Sequence, residues 1–274
     1  MTGGERNDPL LSVQGVTLRY RTRDRLVTAT YRVSFDVLGA DRFVVLGPSG
    51  CGKSTLLKAV AGFLEPAEGR ILLSGRAIAK PGPDRVVVFQ EFDQLLPWKS
   101  VRDNVTFALT ASGKLRPREA RERADHYLRK VGLESFAESF PHTLSGGMKQ
   151  RAAIARALAM EPEILLMDEP FAALDALTRE KMQDELLELW AETRFTVLFV
   201  THSIAEAIRI GNRILLLGPH PGRVRAEVAC RGEDEADAAG RKLSARIAEI
   251  LFGAAPAPIA QDGEVADGEV ADVR

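Results

Sequence analysis

The sequence predicts an α/β fold with a sheet of buried parallel strands at its centre. Four short apolar runs are typical of strands covered on both faces, and each ends at a residue suited to phosphate, metal or water. These runs are RFVVLG at the Gly47 loop, RVVVF before Gln90, EILLM before Asp168 and TVLFV before Thr201. Ligands of open α/β sheets bind beyond the carboxyl ends of the strands, so the four run ends predict one shared site.

Helical patterns connect these strands. They are STLLKAVAGFL, REARERADHYLRKVGL, QRAAIARALAM and LTREKMQDELLELWAET. In the last segment, Met182, Leu186, Leu189 and Trp190 recur at helix-face spacing. This spacing predicts that Trp190 packs in the core.

Two further regions depart from the strand and helix alternation. The segments LSVQGVTLRY, LVTATYRVSFDV and GRILLSGRAI alternate in polarity and contain glycine turns, which predicts an N-terminal antiparallel β subdomain. Helical patterns dominate between about Phe92 and Met160, which predicts an inserted α-helical subdomain. The expected divisions are 1–92 for the antiparallel β and phosphate-loop part of the core, 93–160 for the helical subdomain, 161–250 for the rest of the core and the C-terminal segment, and 251–274 for a disordered acidic tail.

Composition and charge bear on which partners and which cellular location the chain can have. The 37 basic and 38 acidic side chains give a net charge of −1, so the chain has no general attraction to nucleic acid or anionic lipid. The N-terminal MTGGERNDPL is too polar for a secretory signal, and no apolar run is long enough to span a membrane. We therefore expect a cytosolic protein with no nucleic-acid partner, in which Cys51 and Cys230 are reduced.

The stretch GPSGCGKST fits the phosphate-binding pattern G-x-x-x-x-G-K-[ST] at every fixed position. Glycines let the backbone approach phosphate oxygens, Lys53 neutralises the β and γ charges, and Ser54 can hold Mg²⁺. The alternative, a chance glycine-rich turn, fits poorly with an apolar run before the loop and a helix after it. The predicted nucleotide-binding residues are Gly47, Pro48, Ser49, Gly50, Cys51, Gly52, Lys53, Ser54 and Thr55.

The Cys51 thiol has two interpretations. A thiol near a helix N-terminus can have a lowered pKa and be oxidisable. The alternative, which we favour, is that Cys51 is simply a small residue tolerated in the loop.

Polar residues at the other strand ends complete a hydrolytic site. Asp168 can reach the magnesium site, and Glu169 is a candidate general base for water. Gln90 could orient Mg²⁺ or the attacking water, and His202 could hydrogen-bond the γ-phosphate. Structural roles are the alternative for each of them: two surface acids before a turn, and a Gln and a His that only support the strand ends.

A second anion cradle lies in PHTLSGGMKQ. Ser145, Gly146 and Gly147 precede an alanine-rich helix, and small residues there leave backbone N–H groups free to bind an anion. The alternative is an ordinary helix N-terminus. One chain with two phosphate cradles raises the question of what the second one binds.

Taken together, GPSGCGKST, Gln90, LSGGMKQR, ILLMDEP, AALD and His202 resemble, in content and order, the ATP-binding cassette ATPases of membrane transporters. The resemblance runs from about residue 10 to residue 225. It implies a P-loop NTPase (RecA-like) core that binds ATP and Mg²⁺. It also implies that Tyr20 stacks on adenine, Asp168 associates with magnesium, Glu169 is the catalytic base, and Asp175 communicates across a dimer.

The resemblance also implies partners. Such ATPases form head-to-tail dimers in which the LSGG of one copy caps the nucleotide on the phosphate loop of the other, so Ser145 and Gly147 would act on a second copy. They associate with an integral-membrane permease, at the cytoplasmic side of the membrane, and indirectly with a solute-binding protein. Ser203 stands where this family often has Asp, and it can still cap the helix that follows.

Two sequence segments narrow the resemblance to one group of importers. LLPWKSVRDNV and GPHPGRVRAEV are similar to segments of importers for nitrate, sulfonate, taurine and related solutes, with His220 where Arg is frequent. Trp98 either anchors the permease or packs internally. Two other functions stay open at this point: an ATP-driven switch acting on nucleic acid or ribosomes, and a nucleotide-binding regulator without catalysis.

Overall fold

The computed structural model describes residues 8–21, 26–91, 94–230 and 237–253. The disordered acidic tail was predicted for 251–274, but Leu251 and Phe252 are the last residues of the C-terminal helix, which Leu251 anchors by its burial. The rest of the predicted tail, from residue 254 onward, lies outside the described residues. The strands are β1 (Leu11–Arg21), β2 (Leu26–Val37), β3 (Arg42–Leu46), β4 (Glu68–Leu73), β5 (Arg76–Ala77), β6 (Arg85–Val88), β7 (Ile164–Asp168), β8 (Val197–Thr201), β9 (Arg213–Leu217) and β10 (Val224–Ala229).

The helices are α1 (Lys53–Val60), α2 (Val101–Ala111), α3 (Pro117–Lys130), α4 (Gly146–Ala159), α5 (Ala176–Thr193), α6 (Ile204–Ile210) and α7 (Ala238–Phe252). All four predicted helical segments are helices. Among the described residues, no helix is long and apolar enough to cross a membrane.

The larger sheet has the strand order β10-β9-β3-β8-β7-β6. Its β3, β6, β7, β8 and β9 are paired in parallel, and β10 runs antiparallel to β9 at one edge. The four apolar runs are therefore confirmed as parallel strands. RILLL, which forms β9, is a fifth parallel strand that the sequence analysis did not single out.

Alternate residues of the parallel strands enter two separate cores. In β3, Val44 and Leu46 join the core that contains α2 to α7, whereas Phe43 and Val45 join the core that contains α1, β1 and β2. Successive side chains of a strand point to opposite faces, so both faces of this sheet are covered. Burial on both faces explains why these strands read as continuous apolar runs.

The smaller sheet has the order β2-β1-β4-β5, with all pairs antiparallel. The alternating segments at the N-terminus thus form the antiparallel sheet that they predicted. Residues Val33, Val37 and Leu73 of this sheet are fully or almost fully buried and pack on α1, β3 and β8. The antiparallel sheet is therefore attached to the core through the same face that carries α1.

Helices α2, α3 and α4 pack on one another within the stretch predicted to be helical. Their contact is built from small and aliphatic residues such as Val105, Leu109, Ala124 and Leu128, all fully buried. Ser100 caps α2 by accepting a hydrogen bond from the Asp103 N–H at 3.1 Å. The domain divisions given above remain a prediction.

The prediction that Trp190 packs in the core is wrong. Its ring is half-buried and lies between two guanidinium groups, with Arg42 at 4.0 Å and Arg194 at 4.3 Å from the ring centroid. A Trp face attracts such cations, and the position just outside the apolar core leaves room for them. Helix-face spacing could not distinguish the core from its rim.

Parallel pairing brings the predicted site residues to one edge of the sheet. Strands β3, β8 and β7 are consecutive in the sheet, and their registers pair Leu46 with Thr201 and Val200 with Asp168. The loop after β3, the acids at the end of β7 and the residues after β8 therefore meet at a common edge.

Candidate functional site

The loop from Gly47 to Gly52 connects β3 to α1 and folds around the side chain of Lys53. The Lys53 ammonium is 4% exposed and donates to the carbonyl oxygens of Gly47 (2.9 Å) and Pro48 (3.0 Å). Gly52 has φ 98°, and a Cβ there would lie 2.6 Å from the Ala29 carbonyl oxygen. Glycine is required at that position, and the loop is thereby pressed against β2.

Burial determines the state of Cys51 within the loop. The thiol is fully buried, and desolvation raises its pKa above the usual value although the nearby Lys53 opposes the shift. The raised pKa contradicts the lowered pKa considered for this thiol and supports the interpretation that Cys51 is a small residue tolerated in the loop. Cys51 acts as a small apolar residue.

Ser54 and Asp168 form one unit across the sheet edge. The Ser54 hydroxyl donates to Asp168 Oδ1 at 2.8 Å. Burial raises the pKa of Asp168, and the hydrogen bond from Ser54 opposes that shift. A hydroxyl and a carboxylate oxygen fit Mg²⁺, which takes few protein oxygens and completes its shell with phosphate and water. In keeping with so small a donor set, the described residues contain no group of three or more His, Cys, Asp or Glu side chains that could hold a metal.

Glu169 lies between Lys53 and His202. Its Oε2 is 2.8 Å from His202 Nδ1, and its Oε1 is 3.9 Å from Lys53 Nζ. Its backbone is left-handed at φ 45°, and its N–H donates to the Val200 carbonyl oxygen at 3.0 Å. Left-handed backbone is uncommon for a residue other than glycine and is held by the neighbouring strand. The structure thus fixes this carboxylate at the exit of β7, next to a cation and an imidazole.

A cavity of about 220 Å³ opens over the phosphate loop. It brings together three parts of the predicted site: Tyr20 from β1, the loop residues, and Glu169. The remaining lining residues, Ala29 and His220, were not predicted to line a site. The full lining is Tyr20, Ala29, Ser49, Gly50, Gly52, Lys53, Ser54, Thr55, Glu169 and His220.

Gln90 does not line this cavity. Its side chain is exposed two residues beyond β6. Gln94 instead braces this connection, because its amide accepts from the Phe89 N–H at 3.2 Å and donates to the Phe89 carbonyl at 3.0 Å. The structure does not bring Gln90 to Ser54 or Asp168, so its role in holding metal or water stays a prediction.

The second cradle lies apart from the cavity. Ser145 is exposed and caps α4 by accepting from the Met148 N–H at 3.3 Å, and a Cβ on Gly147 would lie 3.1 Å from Thr178. Asp175 caps the neighbouring α5, and its hydrogen bonds from Thr178 lower its pKa. None of Ser145, Gly146, Gly147 and Asp175 lines the cavity. The starts of α4 and α5 thus form a separate surface, on which Leu177 is 80% exposed.

Sequence reasoning missed Glu206, a buried carboxyl behind His202. Its carboxyl accepts hydrogen bonds from the Gln183 amide at 3.0 Å and from the Thr201 hydroxyl, and burial raises its pKa. Thr201 Oγ1 also accepts from the Ser203 N–H at 3.0 Å, and Ser203 caps α6 as predicted. Glu206 therefore ties α5 to the turn that carries His202. The available signal was an acidic residue among the apolar residues at the start of the short helix IAEAIRI.

Comparisons with known proteins agree with this geometry. A model of the ABC transporter family matches residues 31–172. The taurine import ATP-binding protein TauB of Rhizobium johnstonii is 52% identical over 246 residues, covering 88% of this chain and 93% of that protein. The nitrate import ATP-binding protein NrtD of Synechococcus elongatus is 49% identical over 197 residues, covering 72% of each.

Solved structures give the same result. A dimeric post-hydrolysis state of the ATP-binding cassette MJ0796 bound to ADP and Pi is 34% identical, with a TM-score of 0.70, and covers 81% of this chain and 100% of its own. Clostridium perfringens cbiO1, part of an ABC transporter complex, is 29% identical, with a TM-score of 0.72. The match covers 89% of this chain and 96% of the cbiO1 chain. The chain belongs to the ABC transporter family. The predicted P-loop NTPase core with an antiparallel β subdomain is confirmed.

Asp168 should lower the stability of the nucleotide-free protein. A carboxyl whose pKa is raised by folding binds more protons in the native state, so its contribution to stability falls as pH rises through that pKa. We expect Asp168→Asn, whose amide oxygen can still accept from Ser54, to raise the free energy of unfolding at pH 7 by about 1 kcal/mol without Mg²⁺ or nucleotide. Urea unfolding at pH 7 measures this free energy for wild type and variant. The exposed Asp36→Asn is the matched control, and an unchanged or lower stability for Asp168→Asn would contradict the expectation.

Proposed function

We propose that this chain is the ATP-hydrolysing subunit of an importer for a small solute, working as a dimer of two copies on a separate membrane permease. One observation carries the proposal. The chain has a complete phosphate loop and a second anion cradle, and the second cradle does not line the cavity of the first. A cradle that lies outside the nucleotide cavity of its own chain is suited to bind a phosphate group held by a second chain.

In this function, the cavity over the loop holds the nucleotide. Tyr20, 45% exposed at the cavity wall, offers a ring for the adenine, and the loop N–H groups with Lys53 take the phosphates. Ser54 and Asp168 would hold Mg²⁺, which supplies charge neutralisation to the β- and γ-phosphate oxygens when bound. The Lys53 ammonium donates two hydrogen bonds to the Gly47 and Pro48 carbonyl oxygens and has a third N–H for a phosphate oxygen.

Glu169 is positioned to act on water. Its carboxylate is the acceptor that takes a proton as the water oxygen attacks the γ-phosphorus and ADP leaves. His202 Nδ1, 2.8 Å from Oε2, holds that carboxylate, and the other ring nitrogen of His202 would be the one that hydrogen-bonds the γ-phosphate. Glu206 keeps the His202 turn in place through Thr201, so the base is supported from behind.

The second cradle would act on the other copy. The N-terminus of α4 presents backbone N–H groups of Gly146 and Gly147, and its dipole favours a γ-phosphate delivered by a facing chain. Asp175 and Leu177 lie at the start of the adjacent α5 and are exposed in the single chain, as an interface would require. ATP would then hold the two copies together, and hydrolysis would release them.

A permease contact is placed on a different surface. A cleft of about 380 Å³ is lined mainly by apolar residues, among them Phe63, Phe89, Ala108 and Met160. Phe63 of this cleft is 54% exposed. Trp98, which does not line the cleft, is 71% exposed and therefore does not pack internally. An apolar cleft and exposed aromatic side chains are each typical of a binding surface for another protein. We propose that the permease contacts the cleft and Trp98, with the chain on the cytoplasmic face of the membrane.

The names of the relatives narrow the solute. Taurine and nitrate are both small polar solutes, and the chain is about half identical to the ATP-binding proteins named for them. We propose that the solute is nitrate, a sulfonate, taurine or a related organic solute, delivered by a solute-binding protein. The switch acting on nucleic acid or ribosomes gains no support from these relatives, and the regulator without catalysis does not explain the Glu169–His202 pair.

Glu169→Gln should separate ATP binding from hydrolysis. The amide keeps the shape of the side chain but cannot accept the proton, so we expect hydrolysis to fall about 100-fold or more while ATP still binds and a stable dimer accumulates. ATP turnover and sedimentation with and without ATP measure this. The exposed Glu249→Gln should behave as wild type, and Lys53→Ala should lose ATP-dependent dimerisation. Normal ATP turnover in Glu169→Gln would show that Glu169 is not the catalytic base.

Trp98→Ala should weaken the contact with the permease without affecting the chain alone. The indole is exposed, so we expect an unchanged thermal midpoint and unchanged basal ATP hydrolysis, with about a tenfold loss of affinity for the permease. Co-purification with the permease and stimulation of hydrolysis by it are the measurements. Phe252→Ala, an equally exposed aromatic on α7, is the control. A folding defect in Trp98→Ala, or full stimulation, would contradict the proposed surface.

A further inference from the structure

The turn between β9 and β10, residues 218–223, is built into the nucleotide site. Gly222 is paired with β2: its N–H donates to the Ala29 carbonyl at 2.9 Å, and its own carbonyl accepts from the Tyr31 N–H at 2.9 Å. These two bonds make a parallel bridge at Thr30. The turn therefore extends from the large sheet to the antiparallel sheet.

The same turn is pressed against the phosphate loop. A Cβ on Gly222 would lie 2.1 Å from the Cys51 carbonyl oxygen, so only glycine fits between the loop and β2. Within the turn, the Gly218 N–H donates to the Arg223 carbonyl at 2.9 Å, and the Arg223 guanidinium lies 4.4 Å from the centroid of the Tyr31 ring. Contacts on both sides hold the turn in place, and with it the direction of His220.

His220 is the member of this turn that reaches the cavity. It lines the cavity together with Tyr20 and Ala29, which belong to β1 and β2. The turn is bonded to Ala29 and Tyr31, so His220 joins the wall formed by the antiparallel sheet. Lys53, Ser54 and Glu169, which the proposed function assigns to phosphate, Mg²⁺ and water, line the same cavity.

We propose that His220 is a nucleotide-contacting residue that binds the base and ribose of the nucleotide, in the cavity that it lines together with Tyr20. An imidazole has a flat face that can stack on a base and ring nitrogens that can hydrogen-bond to base or ribose. The phosphate loop recognises only the phosphates, so contacts with the nucleoside depend on the few side chains of this wall. The inference rests on the proposed function, in which this cavity binds ATP.

The experiment uses the full chain with two probes that differ only in the nucleoside. ADP carries base, ribose and two phosphates, and inorganic pyrophosphate carries the phosphates alone. Neither has a γ-phosphate on a nucleoside, so neither requires the second copy to close. Calorimetry gives the dissociation constants of wild type, His220→Ala and the control Val224→Ala, which removes an exposed side chain of the same hairpin outside the cavity.

We expect His220→Ala to weaken ADP binding about fivefold or more, as loss of a base-stacking side chain does, and to leave pyrophosphate binding within about twofold. Val224→Ala should bind both probes as wild type does, and neither substitution should change the thermal midpoint because both side chains are exposed.

Three results would overturn the inference. Equal ADP affinity in wild type and His220→Ala would show that His220 makes no contact, while leaving the nucleotide site itself intact. An equal loss of affinity for ADP and for pyrophosphate in His220→Ala would show that the substitution acts through the phosphate loop. Wild type that binds neither probe would instead contradict the proposed function on which the inference rests.

Discussion

The central sheet is covered on both faces, so its strands have no room for polar side chains except at their ends. Alternate residues of β3 enter different cores, and no charged group is tolerated between them. Parallel pairing then places the ends of β3, β8 and β7 next to one another. The hydroxyl, carboxylates and imidazole that follow those strands meet because the sheet leaves them no other position. Ser54 with Asp168 and Glu169 with His202 are the two pairs that result.

The positions of the two cradles underlie the proposed dimer. The helix that begins at Ser145 and the helix capped by Asp175 lie beside each other, yet neither lines the cavity over the phosphate loop. If the site is divided between two copies, as we propose, neither half can hold a γ-phosphate with all its donors until two chains meet. Nucleotide state and association would then be one equilibrium. Movement of the permease would follow from that equilibrium.

Sequence patterns predicted the parts of this site that are encoded locally. The phosphate loop, the acids after ILLM and the second cradle are short stretches whose residue types indicate their chemistry. Properties that depend on neighbours brought close by the tertiary fold could not be predicted from the sequence. Trp190 falls on the apolar face of α5, but its ring contacts the guanidinium of Arg42, which is distant in sequence, as well as that of Arg194 at the end of α5. Glu206 and His220 acquire their roles only because Gln183, Thr201 and Ala29 are brought to them by the fold. Cys51 sits at a helix N-terminus, and its burial outweighs that position.

The central claim, that each nucleotide site is completed by the second copy, is tested most directly by mixing two inactive chains. Lys53→Ala disables the phosphate loop, and Ser145→Arg disables the cradle. If the site spans two copies, a dimer of one chain of each kind contains one complete site, so the mixture should hydrolyse ATP although neither variant does so alone. A chain with both substitutions has neither a working loop nor a working cradle, so it should not restore hydrolysis when mixed with either single variant. A mixture of the two single variants that stays inactive would contradict the account.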